Sequence, residues 1–100
     1  MGFLPRQHWL AIYVEGMKSF ARTQYFDHTR TRPDRSLIED EWIVRAIQSP
    51  EREKVQADGR IRRWRRIPEF ENKALRVILL EDGTTVHNAF FDRDFTEEQA

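Results

Sequence analysis

Apolar residues recur with a helical period in one stretch of this chain and with a strand period through its second half. Between residues 36 and 48, Ile38, Trp42, Ile43, Ala46 and Ile47 fall within half the circumference of a helix, and Asp40, Glu41, Arg45 and Gln48 occupy the other half. Glu39 on the apolar side, and Leu37 and Val44 on the polar side, depart from the pattern. Ser36 followed three residues later by Glu39 has capping-box spacing, which predicts Ser36 as the N-cap. Pro50 ends the helix, because proline disfavours helical geometry in the residue before it.

From Glu51 onward the period changes. "KVQADGRI" reads as a strand with a turn at Asp58 and Gly59, and a second strand continues through Ile67. "PEFENK" connects to a strand in "ALRVILLE", and Asp82-Gly83 is a strong hairpin signal leading into "TTVHNAFF". A two-residue turn there would pair Leu79 with Val86, Ile78 with His87 and Arg76 with Ala89. Leu75, Val77, Leu79, Val86 and Phe90 would then face the helix, leaving Arg76, Ile78, Leu80, His87 and Ala89 on an open face.

The N-terminal part is less regular. Residues 1–20 mix strand formers with a helical spacing of Leu10, Val14 and Met17 and are expected to form a short helix. Residues 21–35, dense in Arg, Thr and Asp and containing Pro33, read as extended or looped. The expectation is an α+β fold, N-terminal helical segments packed on a three- to four-stranded antiparallel sheet. One hundred residues make a single domain, since a chain this short buries roughly two-thirds of its unfolded surface and has room for one core. Residues 21–95 form its body and 1–20 an extension. The acidic end, "DRDFTEEQA", is expected to fray.

Composition adds constraints. There is no cysteine, so disulfides and thiolate metal sites are excluded, in keeping with a cytoplasmic protein. No uncharged stretch approaches the ~18 residues of a membrane span, and the run Trp9 to Val14 is too short for a secretory core. The net charge is zero, yet residues 1–80 carry +5 and residues 81–100 carry −5. Fourteen of the seventeen cations are Arg, whose planar fork matches phosphate or carboxylate.

Arg60, Arg62, Arg63, Arg65 and Arg66 surround Ile61, Trp64 and Ile67. Strict alternation fails here, and a β-bulge near Arg62 and Arg63 would let Ile61 and Trp64 share a face. On one reading this is a phosphate-tracking strip with Trp64 offered for base stacking, and Arg35 and Arg76 join it. On the other, the charges simply keep an exposed strand from pairing with a neighbour. His28, near Arg30, Arg32 and Arg35, and His87, in "VHNAFFDR", suit phosphoryl chemistry. One imidazole would take a proton from a ribose 2′-hydroxyl, the other would protonate the leaving oxygen, and arginine would stabilise the phosphate. The bland alternative is that each histidine is a structural hydrogen-bonder. His28 and His87 with Asp27, Asp92 or Asp94 match no zinc-ligand spacing, so neither metal nor cofactor is expected.

The words "FDHTRTRPDR", "EDEWI", "DGRIRRW", "LRVILLEDG" and "VHNAFFDR", spanning about Tyr25 to Phe95, resemble a family of short uncharacterised bacterial proteins grouped as a domain of unknown function. The order of a His and Arg loop, a helix and an antiparallel meander is similar in layout to the RelE and barnase-like ribonucleases. The resemblance implies roles for His28, Arg32, Arg35, Arg60, His87 and Arg93, and an RNA-directed, metal-independent function, with a small antitoxin-like protein as partner. The rival expectation is a non-enzymatic interaction module that uses the Arg-rich strand and acidic tail to bind a protein or a second copy.

Overall fold

The computed structural model describes residues 20–95. The short helix expected in residues 1–20 lies outside the described residues, save for the buried, non-helical Phe20. Among the described residues three helices precede the sheet: α1 (Gln24–Thr29), α2 (Pro33–Ser36) and α3 (Asp40–Gln48). Four strands follow: β1 (Arg52–Val55), β2 (Ile61–Ile67), β3 (Lys73–Leu79) and β4 (Val86–Phe91), with a 3₁₀ turn over Pro68–Phe70 between β2 and β3. The strands pair antiparallel in chain order, β1-β2-β3-β4, and α3 packs on β2 and β3, so the chain has the expected α+β fold. No helix among the described residues is long and apolar enough to cross a membrane.

Residues 21–35 are not a loop throughout. Thr23 caps α1, its hydroxyl accepting from the Phe26 N–H at 3.1 Å. Pro33 opens α2, where a residue without an N–H costs nothing. Because α2 consumes Ser36 as its last residue, Ser36 cannot cap α3. Glu39 is the N-cap instead, without a side-chain bond, and the capping-box expectation fails. Asp40 and Glu41 in the first turn of α3 complement its dipole. Trp42, Ile43, Val44, Ala46 and Ile47 are all buried, a wider apolar arc than the pattern predicts because Val44 is covered too. Leu37 and Glu39 fall outside the helix, which removes two of the irregularities.

The sheet supplies the other wall of the core. Leu75, Val77 and Leu79 alternate along β3 and are fully buried beneath α3, each worth about 1.5–3 kcal/mol in removed apolar surface. In β2, Ile61 and Ile67 share that side. The β2–β3 register is unbroken from Ile61↔Leu79 to Ile67↔Lys73, so β2 has no bulge and Ile61 and Trp64 lie on opposite faces. The irregularity is in β4. Leu79 pairs with Val86 as expected, but Ile78 pairs with Asn88, Val77 with Ala89 and Arg76 with Phe90, leaving His87 as the extra residue of a bulge. One inserted residue exchanges the faces beyond it. Ala89 is therefore buried and Phe91 packs on the core with Phe70 and Trp42, while Phe90 moves to the opposite side.

The Asp82-Gly83 loop is held by Asp82, whose carboxylate accepts from the Thr84 and Thr85 N–H groups and the Thr85 hydroxyl. Those bonds hold the Asp82 carboxyl down at about 2. At β4's outer edge, the Val86 N–H donates to the Ala21 carbonyl and the Thr23 N–H donates to the Val86 carbonyl, which fastens the entry to α1 against the sheet.

Candidate nucleic-acid interface

Strand alternation sorts the charges that look mixed in the sequence. In β1 and β2 the side facing α3 holds Glu53, Arg63 and Arg65, and the side facing away holds Arg52, Lys54, Arg62 and Arg66. Arg76 in β3 stands on that outer side beside Trp64, and Arg35 reaches in from α2. The outer side of the sheet is thus cationic, although the chain as a whole is neutral.

Two of the predicted phosphate-binding residues belong to the other side. The Arg63 guanidinium donates to the Ile47 carbonyl at 2.9 Å and pairs with Glu53 at 3.1 Å, and Arg65 donates to the Ser49 carbonyl at 2.8 Å. These are end-of-helix acceptors with no partner inside α3, so the two arginines tie the helix C-terminus to the sheet. They are structural ties, and the outward strip is correspondingly thinner than five arginines.

Across the outer face runs one row in register, Arg52↔Trp64↔Arg76↔Phe90. Arg52 lies over the Trp64 ring at 4.8 Å, Arg76 over Trp64 at 5.3 Å and over Phe90 at 5.0 Å, and Arg35 over Phe90 at 5.2 Å. Cations and rings alternate, each attracting the next. Asp92 locks the row, accepting from the Trp64 indole N–H at 2.9 Å and from Arg76 at 2.8 and 3.2 Å. Burial pushes the Asp92 carboxyl up, but these donors outweigh it and hold it below its ordinary range. Phe95 stacks on Trp64 at 5.8 Å. Trp64 is only 3% exposed, so the expectation of an indole open to bases is corrected: it is a buried strut of this face.

The next row is Lys54↔Arg62↔Ile78↔Asn88. Lys54 and Arg62 are direct cross-strand neighbours of like charge. Neither has a carboxylate partner among the described residues, and Arg62 is held only by the neutral Gln56, at 2.7 Å. Arg66 pairs with Glu51 at 3.0 Å, and Arg60 stands 3.9 Å from Asp58 at the turn before β2.

Of the proposed catalytic group, Arg93 stands apart from His87. His87 sits in the β4 bulge, stacked on Tyr25 at 4.8 Å, with Nδ1 3.1 Å from the Thr23 hydroxyl. Burial, and secondarily the Arg60 charge, push its pKa down. His28 is exposed on α1, one turn beyond Tyr25, and no polar or ring contact joins it to His87 among the described residues. Arg32 is exposed at the start of α2. Arg93 is exposed in the turn after β4, at the opposite end of that strand from His87, roughly 15–20 Å along the chain direction. No arrangement here puts both imidazoles and both arginines on one phosphate.

No family model, curated protein or solved structure matches this chain.

Three contributors to the outer face escape the sequence reading: Arg52, Lys54 and Phe90. Arg52 and Lys54 alternate in β1 and are legible once that strand is started at Arg52 rather than Lys54. Phe90 is not, because its side depends on the His87 bulge. Among the described residues, no three His, Asp or Glu side chains cluster as metal ligands.

Proposed function

We propose that this domain binds single-stranded RNA across the outer face of its sheet and acts as a binder rather than a nuclease. The observation that carries the reading is the Lys54–Arg62 pair. Like charges directly opposite in a sheet are destabilising, and one strand position away Glu53 and Arg63 show the neutralised arrangement that stability favours. An uncompensated pair on an open face, flanked by Arg52 and Arg60, supplies what a string of phosphates requires. The position of Arg93, at the far end of β4 from His87, supports binding over cleavage, since catalysis needs the acid, the base and the phosphate-holding cation around one phosphate.

The test is binding of a labelled oligouridylate as a function of salt. For single strands, the log–log slope is about 0.7 per phosphate neutralised. Lys54→Gln with Arg62→Gln should weaken binding at low salt and flatten the slope by about 1.4. Arg63→Gln, on the helix side, should lower stability and leave the slope unchanged. No binding at low salt, or a slope indifferent to the double variant, rejects the reading and favours a protein-interaction module. Cleavage that is lost in both His28→Ala and His87→Ala would restore the RelE-like ribonuclease assignment.

A further inference from the structure

Where α2 runs beside the outer edge of β4, the surface folds into a groove of about 730 Å³, within the size range of small-ligand sites. Phe90, Phe91 and Phe95 line it together with Arg35, Arg66 and Arg93. It is continuous with the basic face, because Arg66 and Phe90 belong to both.

The charges in the groove are not equivalent. Arg66 is paired with Glu51, Lys73 stands 3.5 Å from the Glu71 carboxylate, and Arg35 spends a donor on Asn88 at 2.8 Å and faces Asp34 at 3.6 Å. The Asp92 carboxylate is saturated by Trp64, Arg76 and the Asp94 N–H, so it does not oppose an incoming anion. Arg93 is exposed and has no ion pair among the described residues. The groove therefore offers aromatic edges and faces with one cation unspent, which matches a planar ring carrying a single negative charge.

We infer that this groove is a subsite for one nucleotide, its base held against Phe90 and Phe95 and its phosphate on Arg93. The assignment deepens the RNA-binding reading and rests on it for its biological meaning. It also adds a property that the flat basic face lacks. A base enters such a groove only when unpaired, so the subsite selects single strands over duplexes, which phosphate contacts alone do not.

The probe is adenosine 5′-monophosphate, titrated into the full chain and followed by ¹H–¹⁵N spectra. The amides of Phe90, Arg93 and Phe95 should shift in a saturable way. Adenosine without phosphate and ribose 5-phosphate without base should each bind at least ~10-fold more weakly, since base stacking and phosphate contact each contribute on that scale. Arg93→Ala, a change at an exposed position with no ion pair among the described residues, should weaken the nucleotide by a similar factor. Groove amides that stay still at saturating nucleotide, shifts confined to Lys54 and Arg62, or an indifferent Arg93→Ala would each overturn the inference. If oligouridylate binds with the expected salt slope while the groove stays silent, only the subsite fails. A groove that takes the nucleotide in a protein that binds no RNA leaves the subsite and removes its proposed role.

Discussion

Replacing Asp92 with Ala should be among the most damaging single changes on the outer face. The carboxylate is 9% exposed and receives the Trp64 indole N–H and two donors from Arg76. Its loss leaves a buried indole N–H without an acceptor, which costs about 1–3 kcal/mol. It also removes charge-assisted bonds worth roughly 1.5–3 kcal/mol from Arg76, part of which water recovers because that guanidinium is 22% exposed. The expected loss is about 2–4 kcal/mol, a large share of the 5–15 kcal/mol that holds a domain this size together. Urea unfolding followed by circular dichroism measures it. The pH dependence supplies a second check. The Asp92 carboxyl is held below its unfolded value, so its contribution is present above the ordinary Asp range, near 3.8, and is lost as pH falls through the lower folded value. The gap between wild type and Asp92→Ala should therefore be widest near neutrality and close on acidification. A loss under about 0.5 kcal/mol at pH 7 would refute the reasoning and mean that Trp64 and Arg76 hold their places without Asp92.

His87 should titrate below its ordinary 6.5, and Tyr25→Ala, which uncovers the ring, should raise it more than Arg60→Ala, because burial is the larger cause. NMR of the imidazole C–H signals measures both, and a larger effect of Arg60→Ala would reverse the assignment. The same depression makes His87 reduce stability as pH falls below 6.5, since the unfolded chain takes up the proton first. Gly59→Ala should cost about 1 kcal/mol in thermal or urea unfolding, because φ is +93° in the β1–β2 turn. Its new Cβ would also meet the Glu81 carboxylate at 2.6 Å, but that side-chain end can move away, so adding Glu81→Ala should recover little of the loss.

Much of the architecture is legible residue by residue. Asp58-Gly59 and Asp82-Gly83 announce their turns, because glycine reaches positive φ without strain, as Gly59 and Gly83 do here. Leu75, Val77 and Leu79 declare a buried face by alternation, and the apolar stripe from Trp42 to Ile47 declares the helix that covers it. Thr23 and Pro33 were readable as helix starts too, but the polar composition around them points to a loop. Short helices of four and six residues depend on tertiary support more than on propensity.

Tertiary structure decided where each of those residues acts. Five clustered arginines look alike in the sequence, yet Arg63 and Arg65 meet the carbonyls at the end of α3, while Arg62 faces outward beside Lys54. A side chain's partner depends on which strand lies opposite and in what register. The His87 bulge shows how little is needed to change it, for a single unpaired residue buries Ala89 and brings Phe90 onto the face with Arg76. Trp64 likewise becomes buried as Arg52, Arg76 and the Asp92–Phe95 turn arrive from three separate parts of the chain. Local sequence sets the period of each element, which is a property of the backbone. The identity of the face, and hence the candidate site, comes from non-local pairing that the period alone does not encode.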